Sequence, residues 1–165
     1  AYRRQRQMCI RDRRTLRAQV GQTEDGIEVT LSGRADLLVT NPEDGLTQVI
    51  DFKTGKKAVT RQAAKESPQL SAYQFLLTLT ERPGGDGHKY QPGGAELVYP
   101  GTDGGITTRP QAELTEEKLG DTHDMLMDIA PVTAGPTYLA TINEECTNCA
   151  FTSICPAQPE GKQVV

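Results

Sequence analysis

No stretch of the sequence approaches the roughly 18 consecutive apolar residues that a membrane-crossing helix needs, and no apolar segment follows the N-terminal arginines as a secretory leader requires. A soluble chain is therefore expected. No glycine-rich GK[ST] loop occurs, so these residues carry no nucleotide-driven motor of that type. No internal repeat is present. Basic side chains are scarce where they would matter for an isolated nucleic-acid binder. The formal charge is −4. Residues 1–17 hold seven arginines and one acid, leaving 11 basic and 21 acidic side chains elsewhere, a net of −10. A body so acidic lacks the basic patch of a free-standing DNA-binding domain, so any nucleic acid must be delivered by other domains or subunits. Cysteine is limited to four residues, which in a chain without secretory features points to metal before disulfide. The 165 residues make one domain by length, enough to bury a core.

The informative stretch runs from Gly33 to Lys57, GRADLLVTNPEDGLTQVIDFKTGKK. Two alternating runs, each with an acid, flank a turn. Asp36 precedes Asp51 by 15 residues, a separation that an antiparallel hairpin folds back on itself. Mg2+ and Mn2+ take oxygen ligands, commonly one or two carboxylates. Such an ion polarises a phosphate oxygen and activates water, while a nearby ammonium stabilises developing charge. The period of two puts Asp51 and Lys53 on one face, with Phe52 expected to point into the core. This is the pattern of a phosphodiester-cleaving centre. The alternative is a surface hairpin with solvated charges, since Asp-x-Lys is common by chance.

Gln69 and Tyr73 lie four apart in SPQLSAYQFLL, which reads as a helix, so they share a face. The succession G-R-A-D, V-I-D-F-K-T-G-K and Q-L-S-A-Y resembles the RecB-type branch of the PD-(D/E)XK nucleases. The resemblance implies an α/β, restriction-endonuclease-like core: a mixed central β-sheet flanked by helices. It implies Asp36 and Asp51 as Mg2+ or Mn2+ ligands, the Phe52 backbone carbonyl as a further ligand, Lys53 as catalytic cation, and Gln69 and Tyr73 as helpers that support the site or contact DNA.

Along the chain, residues 1–17 read as a basic arm touching phosphates, or as a solvated helix end or tail. A third reading of RQMCIRDR is a translated sequencing-adapter remnant, under which Cys9 carries no chemistry. Period-two patterning and turn signals at 21–26 and 41–45 predict strands at 15–21, 27–33, 35–40 and 47–53. NPEDG supplies turn residues. Residues 54–66 read as a polar loop whose Lys56, Lys57, Arg61 and Lys65 are candidate phosphate contacts, or simply solvated. Ser67-Pro68 opens a helix over 67–80 with an apolar stripe at Leu70, Tyr73, Leu76 and Leu77. Residues 81–94 form a Gly/Pro loop with His88 exposed, and AELVYP and 105–109 read as strands. A helix over 115–129 turns Leu119, Met125, Leu126 and Ile129 inward and leaves His123 at the surface.

In the tail, Cys146, Cys149 and Cys155 give C-x2-C-x5-C. Zinc and a [4Fe–4S] cluster both want four soft ligands, and spacing does not separate them; three unrelated cysteines is the plain alternative. The tail is similar to that of RecB-like nucleases of the AddB type and CRISPR-associated exonucleases, which implies a [4Fe–4S] cluster (alternatively Zn2+) stapling the tail, with Cys9 as fourth ligand by position. The chain then divides into an arm (1–17), a nuclease core (18–142) and an Fe–S-binding tail (143–165).

CPAQPEGKQVV and GGAELVYPGTD look most like the C-terminal nuclease domain of actinobacterial helicase–nucleases of the AdnAB kind, in the RecBCD/AddAB class. That likeness implies processing of double-strand DNA ends and single strands for recombinational repair, an upstream helicase motor, a partner subunit, and a bacterial cytoplasmic, nucleoid-associated setting. The family's upstream acid or His ligand has no candidate here, which suits a fragment. Two other readings stand beside it: a stand-alone CRISPR-associated exonuclease, and a non-catalytic scaffold that binds DNA ends.

Overall fold

Ser67 and Pro68 set the helix that organises the molecule. In the computed structural model, which describes residues 9–84, 87–135, 140–159 and 161, the Ser67 hydroxyl accepts the Leu70 N–H and Pro68 occupies the first turn of α2 (Pro68–Leu79). Proline's fixed φ suits that position, and its missing N–H costs nothing there. Leu70, Leu76 and Leu77 are buried from this helix, with Tyr73 partly so, as the stripe predicted.

Five strands lie beneath it: β1 (Cys9–Gln22), β2 (Glu28–Thr40), β3 (Leu46–Phe52), β4 (Gln91–Thr102) and β5 (Gly105–Gln111), in spatial order β1-β2-β3-β4-β5. The pairing is antiparallel except between β3 and β4, which run parallel. The parallel pair requires a crossover, supplied by α1 (Arg61–Lys65) and α2. The sheet is therefore mixed and flanked by helices, an α/β architecture of the restriction-endonuclease-like kind. Leu16, Leu38, Val49, Ala95 and Leu97 from the sheet meet Leu70, Leu76 and Leu77 of α2 in one core.

Several boundaries differ from the sequence reading. The strand expected at 15–21 begins at Cys9, so the second half of the basic segment belongs to the sheet. The strands expected at 27–33 and 35–40 are one strand, β2. Its inward positions run through Val29, Leu31 and Ala35, then shift parity to Leu38 and to Thr40, whose hydroxyl bonds that of buried Thr47. The change of face falls at Asp36. Across from it, Arg13 of β1 adopts a left-handed φ of 43° between the pairs Asp12↔Leu37 and Arg14↔Ala35. Broken alternation in one strand mimics two strands in sequence.

The NPEDG turn behaves as its residues demand. Asn41 Oδ1 accepts the Glu43 N–H, Asp44 Oδ1 accepts the Leu46 N–H, and Gly45 takes a φ of 76°. The polar loop after β3 contains the short α1, capped by Thr60. The helix α3 (Glu116–Thr133) starts at Thr115 as expected, with Glu116 and Glu117 in its first turn, where they complement the helix dipole. It packs at the margin: only Thr122 is buried, Leu119, Met125 and Leu126 are partly so, and Ile129 is 46% exposed. The inward stripe expected there is weak because α3 lies at the edge of the core. The tail forms two short 3-10 turns, Glu144–Asn148 and Thr152–Ile154.

Candidate active site

The β2–β3 ladder runs from Thr40↔Thr47 to Leu37↔Ile50 and stops. One step further, the same register places Asp36 opposite Asp51, and facing residues of an antiparallel pair share a side of the sheet. There β2 departs from β3. The Phe52 N–H that a β2 carbonyl would otherwise accept donates instead to Asp36 Oδ2 at 2.9 Å. The first acid is thus fixed to the backbone between the second acid and the lysine.

Asp51 is 5% exposed. Its Oδ1 accepts Gln69 Nε2 at 3.2 Å, and Lys53 Nζ stands 2.8 Å from Oδ2. That approach lies off the hydrogen-bonding direction, so Oδ2 is near a positive charge yet has no aligned donor. Lys53 donates instead to Gln69 Oε1 at 2.8 Å. One amide therefore bridges the buried acid and the half-exposed ammonium. Asp51 and Lys53 share a face, as strand periodicity predicted.

Phe52 does not enter the core. It is 47% exposed, whereas Asp51 is buried. The cause is α2, which covers the side of the sheet carrying Thr47, Val49 and Asp51 and leaves Phe52 on the opposite side. The Phe52 carbonyl flanks the same edge of β3 as its N–H, because both groups of a strand residue point one way; that edge faces Asp36.

Tyr73 donates its hydroxyl to the Arg34 carbonyl at 2.8 Å, tying α2 to β2 two residues before Asp36. Its ring lies against Gly33, where an added Cβ would come within 2.9 Å of Tyr73 Cε1. Burial lifts the Tyr73 hydroxyl above the usual tyrosine range. The interaction with Gln69 lowers it, the Asp51 and Asp36 carboxylates raise it further, and Lys53 opposes them. The neutral phenol is therefore favoured.

A buried amide pair escaped the sequence reading. Gln74 and Gln111 are 0% and 4% exposed, and Gln74 Nε2 donates to Gln111 Oε1 at 2.9 Å. Gln111 Nε2 faces the carbonyls of Lys65 at 3.0 Å and Ser67 at 3.2 Å, where α1 ends and α2 begins. Gln74 Oε1 accepts the Leu114 N–H. These bonds lock α2 to β5 and so set the height of Gln69 above Asp51. In sequence, Gln111 ends a polar strand, and nothing local marks it as buried.

The candidate phosphate contacts Lys56, Lys57, Arg61 and Lys65 are all exposed, Lys56 and Lys57 just after the site strand and the other two at the ends of α1. His88 is exposed. His123 is half-buried rather than superficial, its ring 6.1 Å from that of Phe75.

The donor set at Asp36, Asp51 and the Phe52 carbonyl is all hard oxygen, and the buried Asp51 Oδ2 without an aligned donor is what a divalent cation would satisfy. The residues fit Mg2+ or Mn2+. Among the described residues no group of three His, Cys, Asp or Glu side chains converges as a metal site, so such a cation would meet two carboxylates at most. The tail fits less well. Cys146, Cys149 and Cys155 are free thiols, not gathered around a common point among the described residues. The side chain of Cys9 lies outside the described residues.

The family profile of the PD-(D/E)XK nuclease superfamily matches residues 1–156. The chain belongs to the PD-(D/E)XK nuclease superfamily, whose members are in general metal-dependent phosphodiester hydrolases. No curated protein matches the sequence. The crystal structure of SSO0001 superposes with a TM-score of 0.59 at 20% identity, over 90% of this chain and 61% of that one. That likeness speaks to fold alone, and the present chain spans less than two thirds of its neighbour's length. No helix among the described residues is long and apolar enough to cross a membrane.

Proposed function

We propose that this chain is the DNA-cleaving nuclease domain of a helicase–nuclease that processes double-strand breaks for recombinational repair. The observation that carries the hydrolytic reading is the Asp51–Gln69–Lys53 bridge beside Asp36. Asp36, Asp51 and the Phe52 carbonyl hold the cation. Mg2+ or Mn2+ bound there supplies Lewis acidity toward a phosphate oxygen and lowers the pKa of a water. The chain's own groups do the positioning. The Phe52 N–H fixes Asp36, so its carboxylate is pre-oriented. Gln69 holds the Lys53 ammonium at the solvent edge of the site, within reach of a phosphate oxygen or the attacking water, where it offsets developing negative charge. Tyr73 keeps β2 against α2 and so maintains the spacing between the two acids.

The helicase setting is supported by charge. A body with net −10 outside residues 1–17 recruits DNA poorly alone, and a motor and partner subunit would feed it. Lys56, Lys57, Arg61 and Lys65, next to the site strand, are the proposed phosphate contacts. In the tail, Cys146, Cys149 and Cys155 are read from their spacing as ligands of a [4Fe–4S] cluster, or of Zn2+, with Cys9 as fourth ligand; no catalytic step passes through them. Nicking of plasmid DNA in Mn2+ by wild type and Asp51→Ala tests the activity. Loss in the variant is expected, and equal nicking would remove catalysis from this site.

A further inference from the structure

A cleft of about 170 Å³ opens beside the candidate centre, lined by Leu31, Gly33, Gln69, Ala72, Tyr73 and Leu76, with Ser32 completing it. Its walls are mostly carbon. One wall is an aromatic ring, and another is the amide that bridges Asp51 and Lys53. Gly33 is the residue that makes the shape: its lack of a side chain is what lets the Tyr73 ring lie along β2. The Tyr73 hydroxyl donates to the Arg34 carbonyl at 2.8 Å, which holds the ring in place along β2.

We infer that this cleft is a nucleobase-binding subsite, which takes the base of a nucleotide next to the phosphate held at Asp36 and Asp51. The inference rests on the nuclease reading above and adds the group that the site grips. A flat group with an apolar face and polar edges matches carbon walls and one aromatic side, with the Gln69 amide at hand for edge contacts. Position decides between a base and an unrelated apolar ligand. Gln69 belongs to both the cleft and the acid–lysine bridge, so whatever fills the one lies within a side chain's length of the other. Charge points the same way: with few cations in the body, stacking must carry a larger share of the grip than phosphate neutralisation does. A base can enter only when it is free of its own stack.

The test needs no turnover. The 165-residue chain in EDTA is titrated with a fluorescein-labelled thymidine oligonucleotide and with a strand of equal length made of abasic residues, followed by anisotropy. Stacking of one base on an aromatic ring predicts about tenfold tighter binding of the thymidine strand. Ala72→Leu, which fills the cleft from the helix side, is expected to reduce that preference below about twofold, with thermal melting as the check that the variant folds. Equal affinity of the wild type for the two strands would overturn the subsite, and so would a preference unchanged in a folded Ala72→Leu. The nuclease reading is judged separately by Asp51→Ala nicking: base preference without metal-dependent cleavage keeps the subsite and removes the catalysis, and cleavage without base preference does the reverse.

Discussion

The Asp36 carboxylate accepts the backbone N–H of Phe52 at 2.9 Å, across the point where β2 leaves β3. A side chain thus does the work of a strand carbonyl, and in doing so is brought opposite Asp51. Asp36→Asn separates the two roles. It keeps an oxygen acceptor for the Phe52 amide and removes the charge. Cleavage is expected to fall on the order of 100-fold or more, since a lost ligand forfeits several kcal/mol of charge stabilisation. The melting temperature should stay close to wild type. A large drop in melting temperature with activity preserved would make Asp36 a structural residue.

Gln69→Leu removes the amide that joins Asp51 to Lys53. With the amide gone, Lys53 loses the acceptor that fixes its ammonium and Asp51 Oδ1 loses its donor. The expected loss in kcat is about 10- to 100-fold, the usual scale for groups that orient ligands, with KM changed less. Unchanged kcat would place Lys53 outside the chemistry.

Gly33→Ala should move Tyr73. Its new Cβ would lie 2.9 Å from Tyr73 Cε1, whereas Gly101 has nothing within 4 Å of an added Cβ. Urea unfolding is expected to show a loss of about 1–3 kcal/mol for Gly33→Ala and little for Gly101→Ala. Equal effects would contradict the close approach of ring and strand.

Gln111→Leu leaves the Lys65 and Ser67 carbonyls without their side-chain donor and Gln74 with the Ala112 carbonyl as its remaining acceptor. Buried polar groups stranded in this way cost about 1–3 kcal/mol each, so a loss of roughly 2–4 kcal/mol in denaturant unfolding is expected. A loss below about 0.5 kcal/mol, the scale of a surface change, would mean the amide pair is not buried in solution.

Tyr73 gives a pH dependence. Burial holds its folded-state pKa above the ordinary tyrosine value, so the folded state holds the phenolic proton more tightly than the unfolded chain. The associated stability is complete below about pH 10 and declines as pH rises through the folded value. Melting temperatures measured across the alkaline range should fall more steeply for wild type than for Tyr73→Phe. Parallel curves would contradict the burial of the hydroxyl.

Much of the site was legible because its signals are local. Asp51 and Lys53 two apart, and Gln69 and Tyr73 four apart, reveal shared faces through strand and helix periods alone, and Ser67-Pro68 announces α2 by capping chemistry. What escaped depends on distant packing. Which side of β3 is covered follows from where α2 lands, and period-two alternation alone does not say that Phe52 faces outward. The reversal of alternation at Asp36 divided one strand into two, since period-two reading assumes a single face throughout. Gln111 is polar in sequence and buried in space because three carbonyls at the α1–α2 corner converge on it. The reading of the tail as a metal site rests on spacing alone, which fixes residue types and not the positions of sulfurs.

The central claim is that Asp36 and Asp51 share one hard cation. Diffraction from crystals soaked in Mn2+, recorded to give an anomalous map at the manganese edge, tests it directly. A single peak at coordination distance from both carboxylates, roughly 2.1 Å as in octahedral oxygen sites, is the expected result. A peak bound elsewhere, or two carboxylates with no shared density at saturating Mn2+, would contradict it.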